Sequence, residues 1–133
     1  MLDNTITIPV DLLNNGTVTN EVLTRIDEQQ NRSKYKTPSH TFSLRDTVDF
    51  YRSFPTKTKD FNGVAKSGFK LTHDLEVPSP IVNQTKVAPE IAEVSFSLPV
   101  GFTPADVKIL RQRLIAILDN DALMDRLNVG LEF

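Results

Sequence analysis

The chain predicts an α+β fold: an antiparallel sheet, with helices confined to the C-terminal end. Three observations carry that expectation. Segments with two-residue apolar/polar alternation recur between Thr5 and Leu98. Clusters of Asn, Gly and Pro fall between those segments, as turns joining strands require. Apolar residues at helical spacing appear only after Thr103, where a proline and an acid sit as in a first helical turn.

Thr5–Ile8 alternates, and Asn14-Asn15-Gly16 offers a turn before Thr17-Val18 and Val22-Leu23-Thr24. This reads as a β-hairpin over residues 1–26, with Pro9 marking an edge strand. Residues 27–34 are polar and read as a connector, and Lys34 to Thr37 as a short strand closed by Pro38. From Thr41, the residues Phe42, Leu44, Val48, Phe50 and Phe54 take even positions, while Thr41, Ser43, Arg45, Thr47, Asp49, Tyr51 and Ser53 take odd ones. Asp46 and Arg52 interrupt the even face and predict a bulge or an early strand end. After a polar turn over Pro55 to Asn62, a strand from Val64 to Val77 places Phe69, Leu71, Leu75 and Val77 on one face. Its other face carries Lys66, Gly68, Lys70, Thr72, Asp74 and Glu76. Pro78 to Pro89 reads as a loop, and Ala92 to Leu98 as the last strand, so the sheet spans residues 32–98.

Thr103 is the N-cap expected for a helix running to Asp119, with Pro104 at its first position and Asp106 in its first turn. Val107, Leu110, Leu114 and Ile117 form one apolar stripe, but Ile109, Ile115 and Leu118 spill beyond it. A second helix over Ala122 to Asn128, capped by Asp121, adds Leu123, Met124 and Leu127 and completes a helical pair at 103–128. Such a pair is too apolar for a lone surface element. Val107, Leu110, Leu114, Ile117, Leu118, Leu123 and Leu127 are therefore expected at an interface with a second copy.

A chain of 133 residues fits one domain. It has no cysteine, which excludes disulfides and thiolate metal sites, and the N-terminus carries no signal-peptide pattern. No apolar run is long enough to span a bilayer, so a soluble product is expected. The net charge of −2 hides an asymmetry. Between Arg32 and Lys70 there are nine bases and three acids, against six bases and fourteen acids elsewhere. A basic block in an acidic chain is a possible nucleic-acid footprint, and edge-guarding lysines on a wet sheet face give the same composition.

His40 and His73 fall in no catalytic or metal-binding spacing, and His73 reads as a structural histidine on the apolar face. Asp119, Asp121 and Asp125 lack the glycine and glutamate of a calcium loop. No phosphate-binding glycine loop occurs, so neither an enzyme nor a cofactor is expected. The polar sheet face is the better candidate. Lys66, Lys70 and Thr72 share it, and neighbouring strands bring Arg45, Thr47, Tyr51, Glu93 and Ser95 alongside. Lysine and arginine neutralise phosphates, hydroxyls bond base edges, and tyrosine stacks on an unpaired base.

Thr41-Phe42-Ser43-Leu44-Arg45, Glu93-Val94-Ser95-Phe96-Ser97 and the helical stretch from Arg111 to Leu127 resemble the coat proteins of single-stranded RNA bacteriophages. The resemblance implies a dimer in which two sheets join edge to edge and each subunit's helices pack across its partner. It implies an icosahedral shell around genomic RNA, helices outward and polar face inward, with the Pro78–Pro89 segment gathered at symmetry axes. It also implies an RNA hairpin operator through which the dimer represses translation. Lys66, Lys70, Thr72 and Glu93 match the RNA surface by position, with Thr47 and Tyr51 nearby. Ile91 stands where some members place a stacking tyrosine, and the Tyr51–Phe69 region is longer than in many. The expected location is the virion, with synthesis in the bacterial cytoplasm. The rival expectation is a cellular dimeric nucleic-acid-binding regulator.

Overall fold

The computed structural model describes residues 2–130. The chain divides after Leu98 into a sheet unit and a helical unit. The sheet unit holds β1 (Thr5–Val10), β2 (Thr19–Gln29), β3 (Arg32–Lys36), β4 (Asp46–Ser53), β5 (Val64–Pro78) and β6 (Thr85–Pro99). They form one six-stranded sheet in sequence order, with β1 to β5 paired antiparallel. Both outer strands carry a proline within them, Pro9 and Pro89, where a missing N–H costs no ladder bond. The helical unit holds α1 (Pro104–Leu118) and α2 (Asp121–Asp125), followed by a π-helical turn over Arg126–Gly130. The architecture is the α+β arrangement that the periodicities predict.

Register separates two chemistries. Phe50 opposes Phe69, Val48 opposes both Tyr35 and Leu71, and Leu23 opposes Ile6, all on one face. Leu23, Tyr35 and Val48 are buried there, with Ile6, Ile8, Phe50 and Phe69 packed around them. Tyr35 is the centre of this cluster. Its side chain is fully buried, its ring meets Phe50 edge-on at 5.5 Å, and its hydroxyl donates to the Asp3 carbonyl at 2.5 Å.

Four boundaries differ from the sequence expectation. Residues 27–34 are no connector: β2 runs to Gln29, and a tight turn leads straight into β3 at Arg32. Both strands are largely wet at this end, so no apolar alternation betrays them. Thr41 to Arg45 is not strand. Thr41 Oγ1 accepts from the Leu44 N–H at 3.0 Å, closing a turn that leaves Phe42 wholly exposed. Of the bulge or early strand end expected at Asp46 and Arg52, it is the strand end that occurs, since β4 begins at Asp46 and closes at Ser53, while the register shift lies between Arg25 and Asp27 in β2. The loop expected at Pro78–Pro89 shrinks to residues 79–84, closed by the Ser79 N–H on the Gln84 carbonyl at 3.0 Å. The first hairpin turn is also longer than expected, because the Asp11 carboxylate accepts from the N–H groups of Asn15 and Gly16 at 3.0 and 2.7 Å.

In the helical unit, Thr103 and Asp106 form a complete capping box, and Pro104 follows the cap. The two bonds from Thr103 hold the Asp106 carboxyl below its usual value. The second cap is Asn120, whose side chain accepts from the Leu123 N–H at 3.1 Å; Asp121, expected there, is instead the first helical residue. α1 buries none of its residues. Of the seven residues expected at an interface, Leu110, Ile117, Leu118, Leu123 and Leu127 are 42–51% exposed, and Val107 and Leu114 are half-buried.

Because so few side chains are fully buried, each matters. Tyr35→Ala should destabilise the chain by about 3–5 kcal/mol, the range for deleting a buried aromatic ring. Tyr35→Phe, which loses only the bond to Asp3, should cost about 1 kcal/mol. Denaturant unfolding of the purified chain measures both, and equal costs would contradict this account of the core.

Candidate nucleic-acid interface

Directly paired residues point to the same side of a sheet, so the register assembles the opposite face row by row. One row reads Thr24, Lys36, Thr47, Thr72 across β2 to β5. The next reads Asp27, Lys34, Asp49, Lys70, and the third Gln29, Arg32, Tyr51, Gly68. Ser53 opposes Lys66 beyond them. Cations thus stand on β3 and β5, with hydroxyls, a phenol and acids between. Among the nine bases of the central block, Arg32, Lys34, Lys36, Lys66 and Lys70 share this face.

The third row extends onto β6 through a gap. Gly68 lies opposite Tyr51, and a Cβ at Gly68 would stand 2.6 Å from the Tyr51 hydroxyl and 2.5 Å from the Val94 carbonyl. The missing side chain lets Tyr51 reach over β5 and donate to Glu93 Oε1 at 2.5 Å. That bond raises the phenol above its usual range, while the Arg32 guanidinium, 5.9 Å from the ring centroid, works against the rise. Tyr51 and Glu93, both expected on the interface, are joined there, with Arg32 as a third member.

The other expected residues are placed as follows. Lys66, Glu93 and Ser95 are exposed and Lys70 half-buried. Thr47 and Thr72 pair side by side but are only 6% and 9% exposed, a floor beneath longer neighbours. Arg45 lies outside β4 and is pinned. Its Nε and Nη2 donate to Asp74 Oδ2 and Oδ1 at 2.9 and 3.1 Å, and its N–H donates to Oδ2 at 3.0 Å. The Asp74 carboxyl, 5% exposed, is held below its usual value chiefly by the Arg45 guanidinium. Arg45 is thus a clamp between the turn before β4 and the middle of β5, with its charge already matched.

The expected short strand at Lys34 to Thr37 is β3, but it begins two residues earlier, and its cations are absent from the expected interface. Arg32, Lys34 and Lys36 alternate at a period of two, a strand signal that the polar run over residues 27–34 conceals. His73 also departs from expectation. It lies on the apolar side opposite Asp46 but is 47% exposed, and its Nδ1 meets Glu90 Oε1 at 2.7 Å. The Glu90 bond, with Asp46 and Asp74 nearby, raises its imidazole above the usual value. Among the described residues no cluster of His, Asp or Glu could hold a metal ion, and no helix is long and apolar enough to cross a membrane.

No protein-family model and no curated protein matches the sequence. Solved structures do match the fold. A chain from the virus-like particle of bacteriophage AVE019 aligns with a TM-score of 0.77 at 20% identity, covering 100% of this chain and 99% of its own. One from the virus-like particle of Wenzhou levi-like virus 4 gives 0.72 at 20% identity, with 95% and 85% covered. The coat protein of bacteriophage EMS014 gives 0.60 at 20% identity, with 89% and 74% covered. The whole chain therefore has the fold of levi-like phage shell proteins.

The Arg45–Asp74 clamp gives acid sensitivity a definite sign. Asp74 titrates below its ordinary 3.8 in the folded chain. Its contribution is therefore complete above that ordinary value and disappears as pH falls through the depressed one. Asp74→Asn should be less stable than the parent near neutrality, and the two should converge in acid. Unfolding midpoints across a pH series measure this; a gap that widens on acidification would contradict it.

Proposed function

We propose that this chain is the coat protein of a levi-like single-stranded RNA phage, a shell subunit whose polar sheet face binds RNA. The observation that carries the proposal is the full-length fold match to chains of virus-like particles, running from the first strand through both helices. Two features of this chain support it. The edge strand β6 and the uncovered apolar side chains of α1 and α2 are surfaces that a second copy can complete. The five face cations are interleaved with hydroxyls and a phenol, the composition that single-stranded RNA recognition uses.

In this reading two copies join through β6 and exchange helices across their apolar faces, and the dimers tile a shell. The six-residue turn between β5 and β6, with Ile81 60% and Val82 83% exposed, is the segment that meets its equivalents in neighbouring dimers. Binding of a hairpin operator by the same face would repress translation and mark the genome for packaging. The protein is then synthesised in the bacterial host and resides in the virion.

Electron microscopy and size-exclusion chromatography of the purified protein should show uniform shells containing nucleic acid. A small dimer that stays small under all assembly conditions would overturn the coat reading in favour of a regulator. Lys66→Glu with Lys70→Glu should lower the RNA content of particles, read as the ratio of absorbance at nucleic-acid and protein wavelengths, while dimers remain folded. The salt dependence of RNA binding should flatten by roughly 1.4 in log–log slope, at about 0.7 per phosphate contact on single strands. Unchanged RNA content would remove this face from the binding surface.

A further inference from the structure

The row Asp27, Lys34, Asp49, Lys70 alternates in sign across four strands, which a surface built only to hold phosphates would not do. Asp49 stands in its middle, between two lysines, with Thr47 and Tyr51 flanking it on β4. Its side chain is 14% exposed, whereas that of Lys34 is 42% exposed. The Lys34 Nζ lies 3.9 Å from Asp49 Oδ1, an ion pair too long to be a hydrogen bond. Oδ1 is buried and has no hydrogen-bond partner among the described residues. A carboxylate present merely to neutralise its neighbours would take the bonds they offer. This one keeps an acceptor unspent beside the more exposed Lys34.

We propose that Asp49 is the base-selecting residue of this face and takes the Watson–Crick edge of an unpaired guanine. The proposal rests on the RNA-binding reading above. A carboxylate only accepts, so it repels phosphate and needs a ligand with donors. Guanine places two donors side by side, N1–H and the N2 amino group, matching the two carboxylate oxygens; adenine and cytosine each offer one amino group, and uracil one imino N–H. Lys70, opposite Asp49 in register, supplies a donor for guanine O6. Lys34, the more exposed partner, turns outward to a phosphate and uncovers Asp49 as it does so. Phosphate capture and base reading are then coupled through one side chain, while Lys36 and Lys66 hold the backbone on either side of the row.

The test measures binding of the full-length protein to short single-stranded RNAs differing at one central base. Wild type should prefer guanosine over adenosine or uridine, and replacing that guanosine by inosine, which lacks the N2 amino group, should weaken binding severalfold. Asp49→Asn should lose about tenfold or more of the guanosine preference, within the range of one bidentate base contact. It should bind guanosine-free RNA more tightly than wild type, because a negative charge leaves the face. Equal affinity for guanosine and inosine overturns the assignment without needing any variant to fold. So does an Asp49→Asn protein that keeps the wild-type preference. Binding to all RNAs without base preference sinks this proposal alone, whereas binding to none sinks the RNA face as well.

Discussion

The pairing of β4 with β5 in one register is the constraint on which the rest of the sheet depends. A slip of β4 by one residue would turn Val48 and Phe50 away from Leu71 and Phe69 to the polar side and bring Thr47 and Asp49 to the apolar one. Two devices oppose that slip. At one end, the Arg45 fork grips Asp74 through side chain and backbone together, so the entry to β4 is tied to one position on β5. At the other, only Gly68 can lie beneath Tyr51, since any side chain there would meet the phenol and the Val94 carbonyl. A slip would put Ser67 or Phe69 under the ring. Register is therefore held by a charge pair and by a missing Cβ, and both charged face and apolar core follow from it.

That core is small. Among the described residues its buried apolar side chains are Leu23, Tyr35 and Val48, and in the helical unit none of α1 is buried. Many large apolar residues remain open, among them Leu71 on the sheet and Ile109, Leu110, Ile115, Ile117 and Leu118 on α1. A monomer leaving so much apolar surface wet forgoes most of the burial that stabilises a domain of this length. On the proposed coat reading, folding would be coupled to assembly: burial left undone in one chain would be completed by another, and stability would then depend on concentration. The capping box at Thr103 and Asp106 fits the same logic. Local hydrogen bonds hold the start of α1 although none of its residues is buried.

Much of this was legible in the chain because period-two alternation is strong wherever one face is buried. β4 beyond Asp46, β5 and the later part of β6 carry it clearly, and odd and even positions separate their polar and apolar faces. The β2–β3 hairpin was not legible, because Asp27 to Lys34 is nearly all polar and hydrophobic contrast is the signal being read. Thr41 to Arg45 misled in the opposite way. Its alternation continues that of β4 by composition alone, while the Thr41 hydroxyl closes a turn no periodicity encodes. The partner of Arg45 lies 29 residues away, and Gly68 acquires meaning only once Tyr51 is known to face it. Pairings distant in sequence decided which predicted cations are available and which are already matched.

On the proposed RNA-binding reading, the interleaving of acids among the face cations has a physical consequence. Five cations share the face with Asp27, Asp49 and Glu93, so the attraction each chain offers a phosphate backbone is modest. A uniformly basic face would hold any RNA tightly, and dissociation from wrong sequences would be slow. On that reading, acids between the lysines would admit a phosphate only at certain positions and leave acceptors for a base to satisfy. Weak, position-dependent contacts suit a surface repeated many times around one polymer, because tethering multiplies them into firm retention of the whole. Affinity would then come from repetition, leaving the single chain free to discriminate.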